Sequence, residues 1–347
     1  MQMGKMKPPT MEDIVSMFQA SGLKAKLIFT FAMVAIFRFC AQIPLFGINN
    51  EVFANIASGN NIIGFLDLFS GGALGNVSII ALGIGPFITA SIIMQLLAVI
   101  IPSLEQLQKE EGEAGRRKIS QYTRLFTVVI AAFQSFVFLA FLTSQASAAI
   151  LPGVNKGMFF FGSMLILTAG AVFVMWLAEL ITEKGIGNGG SLLIFCGILA
   201  GIPVYASRTT QLVAYDPKMQ LGLVVLLAIF FATMIFIVIM QEAIRKVIIV
   251  NPKRQVGNKI YGGINTFIPF KLNPGGVMPI IFAVAILLFP STVLSLANSI
   301  HVQSQTLKTI VTKLTLFFSP QGISYYIIYF VLIVALTFFY ASIMPNM

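Results

Sequence analysis

The sequence predicts an all-α, polytopic membrane protein with about eight membrane-spanning helices. The first observation behind this prediction is composition: 57% of the 347 residues are hydrophobic, only 10% are charged, and the mean hydropathy is +0.92. A soluble domain carries about 25% charged residues, so this chain lacks the polar surface of a water-facing globule. The second is that the apolar residues gather into runs of about 20, long enough to cross ~30 Å of hydrocarbon.

The apolar runs, in chain order, are the predicted spans. They lie near 27–46, 76–101, 124–143, 158–181, 188–206, 220–241, 274–298 and 322–344. Helices are expected because the runs lack the alternation of a barrel strand, and because lipid leaves no partner for an unpaired backbone group. Residues 1–23 are polar and contain no apolar signal core, so we expect the first span to insert and remain.

The distribution of basic side chains predicts a cytoplasmic N-terminus. With that orientation, 16 of the 22 Lys and Arg residues fall on the cytoplasmic side, 5 fall outside, and Arg38 lies within the first span. An even number of spans then places the C-terminus in the cytoplasm too. The net charge of +10 is therefore explained first by topology and by attraction to anionic lipids.

Three connecting stretches have distinct compositions. Residues 60–76 are half apolar and glycine-rich, too short to cross the bilayer, and predict a re-entrant half-helix ending at Gly71 and Gly72. Residues 241–273 are basic and contain β-type runs, which predict a folded hairpin on the cytoplasmic side. The remaining large cytoplasmic loop, near 104–124, carries charges of both signs.

Catalytic chemistry is not indicated. His301 is the single histidine, and no metal-binding, redox, Walker or nucleophile-elbow motif occurs. The glycine-rich run at 185–190 predicts a tight turn between helices, because it joins two spans and follows no strand. Cys40 and Cys196 lie in apolar runs and read as small buried residues. We expect no enzyme activity, no cofactor and no metal site.

Arg38 is the clearest charge inside a span. Such a residue is costly in lipid and usually faces the bundle interior or a partner, so we expect it to contact protein rather than to snorkel. Gly197 and Gly201 form a small-xxx-small face, and Gly83 and Gly85 permit close helix approach. These features leave two function classes open: a channel for a large substrate, and a small-solute permease with broken helices. The scarcity of other ionisable groups within the spans favours the channel.

Four motifs, in order along the chain, carry a resemblance to the SecY family, the central subunits of the general protein-secretion translocon. They are FLDLFSGGALGNVSIIALGIGPFITASIIMQLL at 65–97, KEEGEAGRRKISQYTR at 109–124, WLAELITEKGIGNGGSLLIF at 176–195 and KLNPGGVMPIIFA at 271–283. The resemblance implies a SecY-like helical bundle with a re-entrant plug, and a function as a protein-conducting channel. The expected activity is translocation of unfolded secretory polypeptides and lateral release of transmembrane segments into the membrane.

The resemblance also implies the parts of a closed channel. A plug would seal the outer side, formed by Ile62, Ile63, Phe65, Leu66, Leu68, Phe69, Ser70, Gly71, Gly72, Ala73 and Leu74. An apolar pore ring would combine Ile84, Ile88, Ile194 and Ile281 and disfavour water and ions. The family usually has an aliphatic residue where this sequence has Gly190, which would loosen the ring on one side. From the residues alone, each isoleucine would be taken to face lipid or core.

A lateral gate and a docking loop follow from the same resemblance. The polar cluster of the gate would be Thr89, Gln134 and Asn273, although Thr89 is also expected to bond to its own helix backbone. The docking loop would present basic residues to ribosomal RNA or to the acidic surface of the SecA motor. These residues are Arg245, Lys246, Lys253, Arg254 and Lys259.

The implied assembly is a multi-pass protein of the bacterial plasma membrane or of a thylakoid or plastid membrane. Its partners would be small SecE-like and SecG-like subunits, the SecA motor or the ribosome, signal sequences, nascent polypeptides and anionic lipids. Residues 1–206 would form an N-terminal half with five spans and the plug at 60–76. Residues 207–347 would form a C-terminal half with three spans and the loop at 241–273. The family has ten spans, so two would be missing through truncation or supplied by a partner.

Overall fold

The structure is a computed structural model. It describes residues 22–50, 52–53, 67, 70–109, 112–145, 149–151, 153, 155–215, 219–249, 254–256, 259–261, 266–273, 275–280, 282–284, 286–287, 294, 313–314, 317 and 322–343. The helices and strands are α1 (Leu23–Ala41), α2 (Gly85–Ile100), α3 (Pro102–Lys109), α4 (Gly112–Gln145), α5 (Lys156–Lys184), α6 (Gly189–Tyr215), α7 (Met219–Glu242), β1 (Ile244–Ile249), β2 (Arg254–Val256), β3 (Lys259–Tyr261), β4 (Thr266–Lys271) and α8 (Ile323–Ile343).

The helical membrane class predicted from composition is confirmed. Within the described residues, five helices, α4 to α8, are long and apolar enough to cross a membrane, and α2 is a shorter apolar helix. The first predicted span corresponds to α1, which has 19 residues. Most of the seventh predicted span, 274–298, falls outside the described residues.

Two boundaries predicted from hydropathy are wrong. The second span begins at Gly85 rather than near 76, because the backbone from 71 to 84 is turned, with positive φ at Gly71, Gly72 and Gly83. Hydropathy does not register such turns, since the residues between the glycines are apolar. The charged stretch near 104–124 is helical rather than a loop: α3 covers its start, and α4 extends well beyond the apolar run.

The protein consists of two compact units, each held together by its own internal contacts. The first unit comprises Met1–Tyr205 and Phe289–Gly322, and the second comprises Ala206–Leu288 and Ile323–Met347. In the first unit, α5 is the central helix, and its buried residues follow the spacing of one helix face. They are Phe159, Ser163, Leu167, Gly170, Ala171, Val174, Met175, Leu177, Ala178 and Ile181. This spacing puts them on one stripe of a helix, so α5 packs against its neighbours along most of its length.

The ends of α5 are fixed by local hydrogen bonds. At its start, the Asn155 side chain accepts from the Gly157 amide at 3.1 Å, which satisfies one of the orphan donors of a helix N-terminus. At its other end the chain turns tightly into α6, as predicted from the glycine-rich run. The Thr182 hydroxyl accepts from the Gly189 amide at 2.9 Å, and the Thr30 hydroxyl of α1 accepts from the Ile186 amide at 3.2 Å.

In the second unit, the basic stretch after α7 folds into antiparallel hairpins, as predicted. Strand β1 pairs with β4, from Ile244 opposite Lys271 to Ile249 opposite Thr266, and β2 pairs with β3. The side chains of β1 are all exposed. Farther along this unit, the rings of Phe282 and Tyr340 pack with centroids 5.0 Å apart, which joins the start of the seventh predicted span to α8.

Candidate functional site

A hydrogen-bonded turn follows residue 67 and forms the end of the predicted plug. The Asp67 carboxylate accepts from the Gly75 amide at 2.7 Å and from the Ser70 hydroxyl at 3.1 Å. The Ser70 hydroxyl in turn accepts from the Leu74 amide at 2.9 Å. These bonds close the turn on itself and satisfy the backbone amides of Leu74 and Gly75.

Glycine is required at Gly71 for two reasons. Its backbone is left-handed, with φ of 70°, a region that side-chain-bearing residues rarely adopt. A Cβ placed there would also lie 2.6 Å from the Cα of Gly197. Gly197 therefore provides a smooth surface on α6 against which the turn packs. The sequence assigned Gly197 to helix packing, and the structure shows that it contacts the turn.

Arg38 of α1 reaches the same turn. Its guanidinium Nη1 donates to the carbonyl oxygen of Gly71 at 2.6 Å, and the side chain is partly buried. The expectation that this intramembrane charge faces protein is confirmed. The turn thus contacts both α1, through Arg38, and α6, through Gly197.

An apolar cluster lies beside this turn and includes three of the four predicted ring residues. Ile84 is 5% exposed and belongs to the buried cluster itself, whereas Ile88 and Ile194 are partly buried and pack against it. Ala73, from the predicted plug, is fully buried in the same cluster. The fourth ring residue, Ile281, lies outside the described residues.

Gly190 lies directly beside Ile84. A Cβ on Gly190 would lie 3.4 Å from the Cδ1 of Ile84 and 3.3 Å from the Oδ1 of Asn188. The first distance is ordinary van der Waals contact and the second is slightly tighter. A methyl group at this position would therefore contact Ile84 and would require the Asn188 side chain to shift by a few tenths of an ångström.

Of the predicted plug residues, Ser70, Gly71, Gly72, Ala73 and Leu74 are described. Ser70, Ala73 and Leu74 are buried, with exposed fractions of 5%, 0% and 6%, and Leu74 packs in a second apolar cluster with Leu45 and Val77. The remaining predicted plug residues, Ile62, Ile63, Phe65, Leu66, Leu68 and Phe69, lie outside the described residues.

The three predicted lateral-gate residues make local contacts or are partly buried. Thr89 donates to the Gly85 carbonyl of its own helix at 3.0 Å, as expected for a threonine in an apolar helix. Asn273 donates to the Gly276 carbonyl at 3.2 Å. Gln134 is partly buried on α4.

The predicted docking residues are distributed over the hairpins. Arg245 and Lys246 lie on β1, opposite Phe270 and Pro269, and both are exposed. The Lys246 ammonium lies 4.9 Å from the centre of the Phe267 ring, a cation–π distance. Arg254 and Lys259 lie on β2 and β3, and Lys253 is outside the described residues.

Asp67 is the functional-site residue that the sequence reasoning missed. It was passed over because the predicted plug was defined by its apolar side chains and glycines. The available signal was an aspartate three residues before Ser70 in a segment that ends in paired glycines, since Asp side chains readily close turns on nearby amides.

A family model and curated sequences both match most of this chain. The family model described as SecY matches residues 78–347. The protein translocase subunit SecY of Synechococcus elongatus is 44% identical over 347 residues, which cover 98% of this chain and 76% of that protein.

Two solved structures share the fold. One concerns the SecY plug domain, described as stabilising the closed state of the translocation channel and maintaining a membrane seal. It has a TM-score of 0.58 at 19% identity, covering 80% of this chain and 59% of that one. The other is Sec61 in the canine ribosome-channel complex from the endoplasmic reticulum, with a TM-score of 0.51 at 20% identity, covering 80% and 60%. This chain thus spans about three fifths of each solved chain.

Proposed function

Because the chain belongs to the SecY family, we propose that it is a protein-conducting channel subunit. Unfolded secretory polypeptides would pass through it, and transmembrane segments would leave it sideways into the membrane. The observation that supports this best is the placement of Ile84, Ile88 and Ile194 around one buried apolar cluster that the glycine-rich turn also enters through Ala73. A small-solute permease would need polar or ion-binding groups at its site, whereas this cluster consists of apolar side chains.

In this proposal, Ile84, Ile88, Ile194 and Ile281 form the narrowest part of the pore. Branched apolar side chains make a constriction that water and ions leave readily, and they repack around whatever passes, because no directional bond has to break. The segment from Ile62 to Leu74 would be the plug, displaced when a polypeptide enters. The turn from Ser70 to Leu74 would be its anchored end.

Thr89, Gln134 and Asn273 are proposed as the polar residues of the lateral gate. In the structure, Thr89 and Asn273 bond to nearby backbone carbonyls, so joining them across a gate would require them to exchange these partners. Cross-helix polar bonds in membranes contribute only about 0.6 kcal/mol on average. A gate built from them would yield to an apolar signal sequence.

The hairpin residues Arg245, Lys246, Lys253, Arg254 and Lys259 are proposed to dock cytoplasmic partners, either ribosomal RNA or an acidic motor surface like that of SecA. We also propose that the N-terminus is cytoplasmic and that the protein lies in a bacterial plasma membrane or a thylakoid or plastid membrane. SecE-like and SecG-like subunits would complete the assembly. The canine Sec61 relative is described in a complex with a ribosome, which supports the ribosome as one partner.

We further propose that the chain performs no chemistry of its own, so that translation or an ATP-using motor drives transport. The chain would be organised as an N-terminal half, 1–206, containing the plug at 60–76, and a C-terminal half, 207–347.

Site-specific crosslinking tests the proposal. A photo-crosslinking residue replaces Ile88, and a second variant carries it at Ile229, an exposed position on α7. With a stalled secretory chain engaged, we expect crosslinks from position 88 and none from position 229. Equal labelling at both positions, or none at 88, would overturn the channel assignment. Saturable uptake of a small solute into liposomes containing this chain would instead establish a permease.

A further inference from the structure

Arg38 and the plug turn meet through one hydrogen bond of a particular kind. The donor is a guanidinium inside a membrane span, and the acceptor is a backbone carbonyl, Gly71 O, at 2.6 Å. A charged donor makes a stronger hydrogen bond than a neutral one, and the low dielectric of the site strengthens it further. Because the acceptor is a backbone atom, the bond depends on where the turn lies rather than on a side chain at residue 71.

The charge of Arg38 has no carboxylate partner within ion-pair distance among the described residues. Asp67 is near in sequence, but its carboxylate is engaged by the Gly75 amide and the Ser70 hydroxyl. The guanidinium is thus satisfied here by a carbonyl dipole rather than by a full opposite charge. Such a bond holds in a dry site and is replaced readily by water when the site opens.

A backbone contact accompanies the bond. The Gly71 backbone approaches the Cα of Gly197 without an intervening side chain, so the turn contacts both α1 and α6. Gly72, the next residue, has a similar positive φ of 84°, yet a Cβ there would meet nothing within 4 Å. The close fit is therefore specific to Gly71 and is not a general property of the turn.

We propose that Arg38 is a positioning residue that latches the plug closed. Its guanidinium bond to Gly71 O, together with the contact between Gly71 and Gly197, fixes the anchored end of the plug. Opening the channel requires this bond to break, which leaves Arg38 free to face water. This inference rests on the proposed channel function and assigns to that channel the residue that sets the balance between its closed and open states.

The test measures ion leak in proteoliposomes that contain the translocon with the subunits that co-purify with it. Arg38→Met removes the donor and keeps an unbranched side chain. We expect it to raise the leak of the resting channel roughly 10- to 100-fold, the range that the loss of a charge-assisted bond supports. Arg38→Lys keeps a charged donor, so its leak should lie between those of Arg38→Met and the wild type.

A pair of glycine variants tests the same latch without altering the arginine. Gly71→Ala and Gly72→Ala both place a methyl group on a left-handed residue, but only the first collides with Gly197. Leak should rise clearly more in Gly71→Ala than in Gly72→Ala. This pair decides the question even if Arg38→Met fails to fold.

Transport of a precursor with a defective signal sequence supplies a readout that mere structural damage would not improve. Variants with a broken latch should export such a precursor better than the wild type, because the closed state is less favoured. If Arg38→Met and Gly71→Ala leak and select like the wild type while normal precursors are still transported, the latch is wrong and the channel stands. If the wild type neither transports precursors nor crosslinks them at position 88, the channel itself is wrong.

Discussion

Helices α5 and α7 are both long and apolar, yet they have opposite packing. Ten residues of α5 are buried, and none of α7 is. The buried stripe of α5 includes Ser163, Gly170, Ala171 and Ala178, whereas α7 is dominated by large side chains such as Ile235 and Phe236, which are exposed. Hydropathy predicted both as membrane spans and did not distinguish them.

The difference shows what selects an interior helix in a membrane. Lipid tails are as apolar as leucine, so burial of large apolar side chains against protein gains little there. Small residues let backbones approach and add van der Waals contact. Helix α5 has them on one stripe and is central, while α7 presents its bulky side chains to whatever surrounds the chain.

The difference in packing between α5 and α7 is tested most strongly by placing the same side chain on a glycine of each helix. A Cβ on Gly170 of α5 would collide with the carbonyl of Ile79, whereas one on Gly222 of α7 would meet nothing within 4 Å. We expect Gly170→Val to destabilise the protein by about 3 kcal/mol, the upper end for overpacking, and Gly222→Val to change stability by less than about 0.5 kcal/mol. Thermal unfolding of the purified protein in detergent measures both, and equal losses would contradict the packing difference.

A second pair compares the same substitution in the apolar cluster and on the exposed helix. Ile88 packs against the buried cluster, while Ile229 of α7 is 59% exposed. Replacing a partly buried aliphatic side chain with serine costs roughly 1.5 kcal/mol, so Ile88→Ser should raise resting ion leak about tenfold, at 1.4 kcal/mol per factor of ten. Ile229→Ser should leave leak unchanged. A rise in both variants would indicate general loosening of the bundle and would count against a pore ring.

The sequence predicted the membrane class, most spans and the hairpin because these follow from composition and periodicity, which act along the chain. It did not predict the turn from 71 to 84, since that turn is stabilised by contacts distant in sequence. The Ile79 carbonyl lies directly against the Gly170 backbone, and the Gly71 backbone lies against Gly197. Identifying such pairs requires the folded arrangement.

The candidate site likewise contains features that the sequence predicts and features that it does not. Arg38 was singled out by the cost of a charge in a span, and its partner carbonyl on Gly71 is invisible to side-chain patterns. Asp67 was missed because its role is to accept backbone amides. The polar residues Thr89 and Asn273 were predicted to pair across a gate, but each has a carbonyl partner close in sequence. Which hydrogen-bond partner each side chain takes depends on the tertiary structure.

Gly190 offers a smaller and opposite test of the apolar cluster. A Cβ there would contact Ile84 at 3.4 Å and the Asn188 side chain at 3.3 Å. Because Asn188 is exposed and can shift, we expect Gly190→Ala to add an apolar contact to Ile84. One added buried methyl group stabilises by about 0.8 kcal/mol, which is about a fourfold shift toward the closed channel at 1.4 kcal/mol per factor of ten. Resting ion leak should fall by that factor. Gly222→Ala on α7 is the matched control, and a higher leak in Gly190→Ala would mean that the added methyl group disturbs the cluster instead of packing against Ile84.

The exposed hairpin after α7 is expected to act through charge rather than packing. Neutralising Arg245, which is exposed on β1, should weaken ribosome binding and reduce the slope of log affinity against log salt by about 1. Lys156→Gln, at the exposed start of α5, removes a charge on the proposed opposite side and should leave binding unchanged. Co-sedimentation with ribosomes over a salt series measures both slopes. Equal slopes for Arg245→Gln and the wild type would remove this residue from the docking surface.

The smallest effect on stability is expected for a surface ion pair between α4 and α5. Arg124 of α4 and Glu179 of α5 form an ion pair at 2.8 Å, with the arginine side chain 47% exposed. Exposed pairs contribute about 0.2–1 kcal/mol, far less than the glycine contact at Gly170. A double-mutant cycle with Arg124→Gln and Glu179→Gln, read by thermal unfolding at low and high salt, should give a coupling in that range that shrinks as salt is added. A coupling above about 2 kcal/mol would mean that this ion pair is not an ordinary exposed pair and that charge contributes substantially to holding α4 against α5.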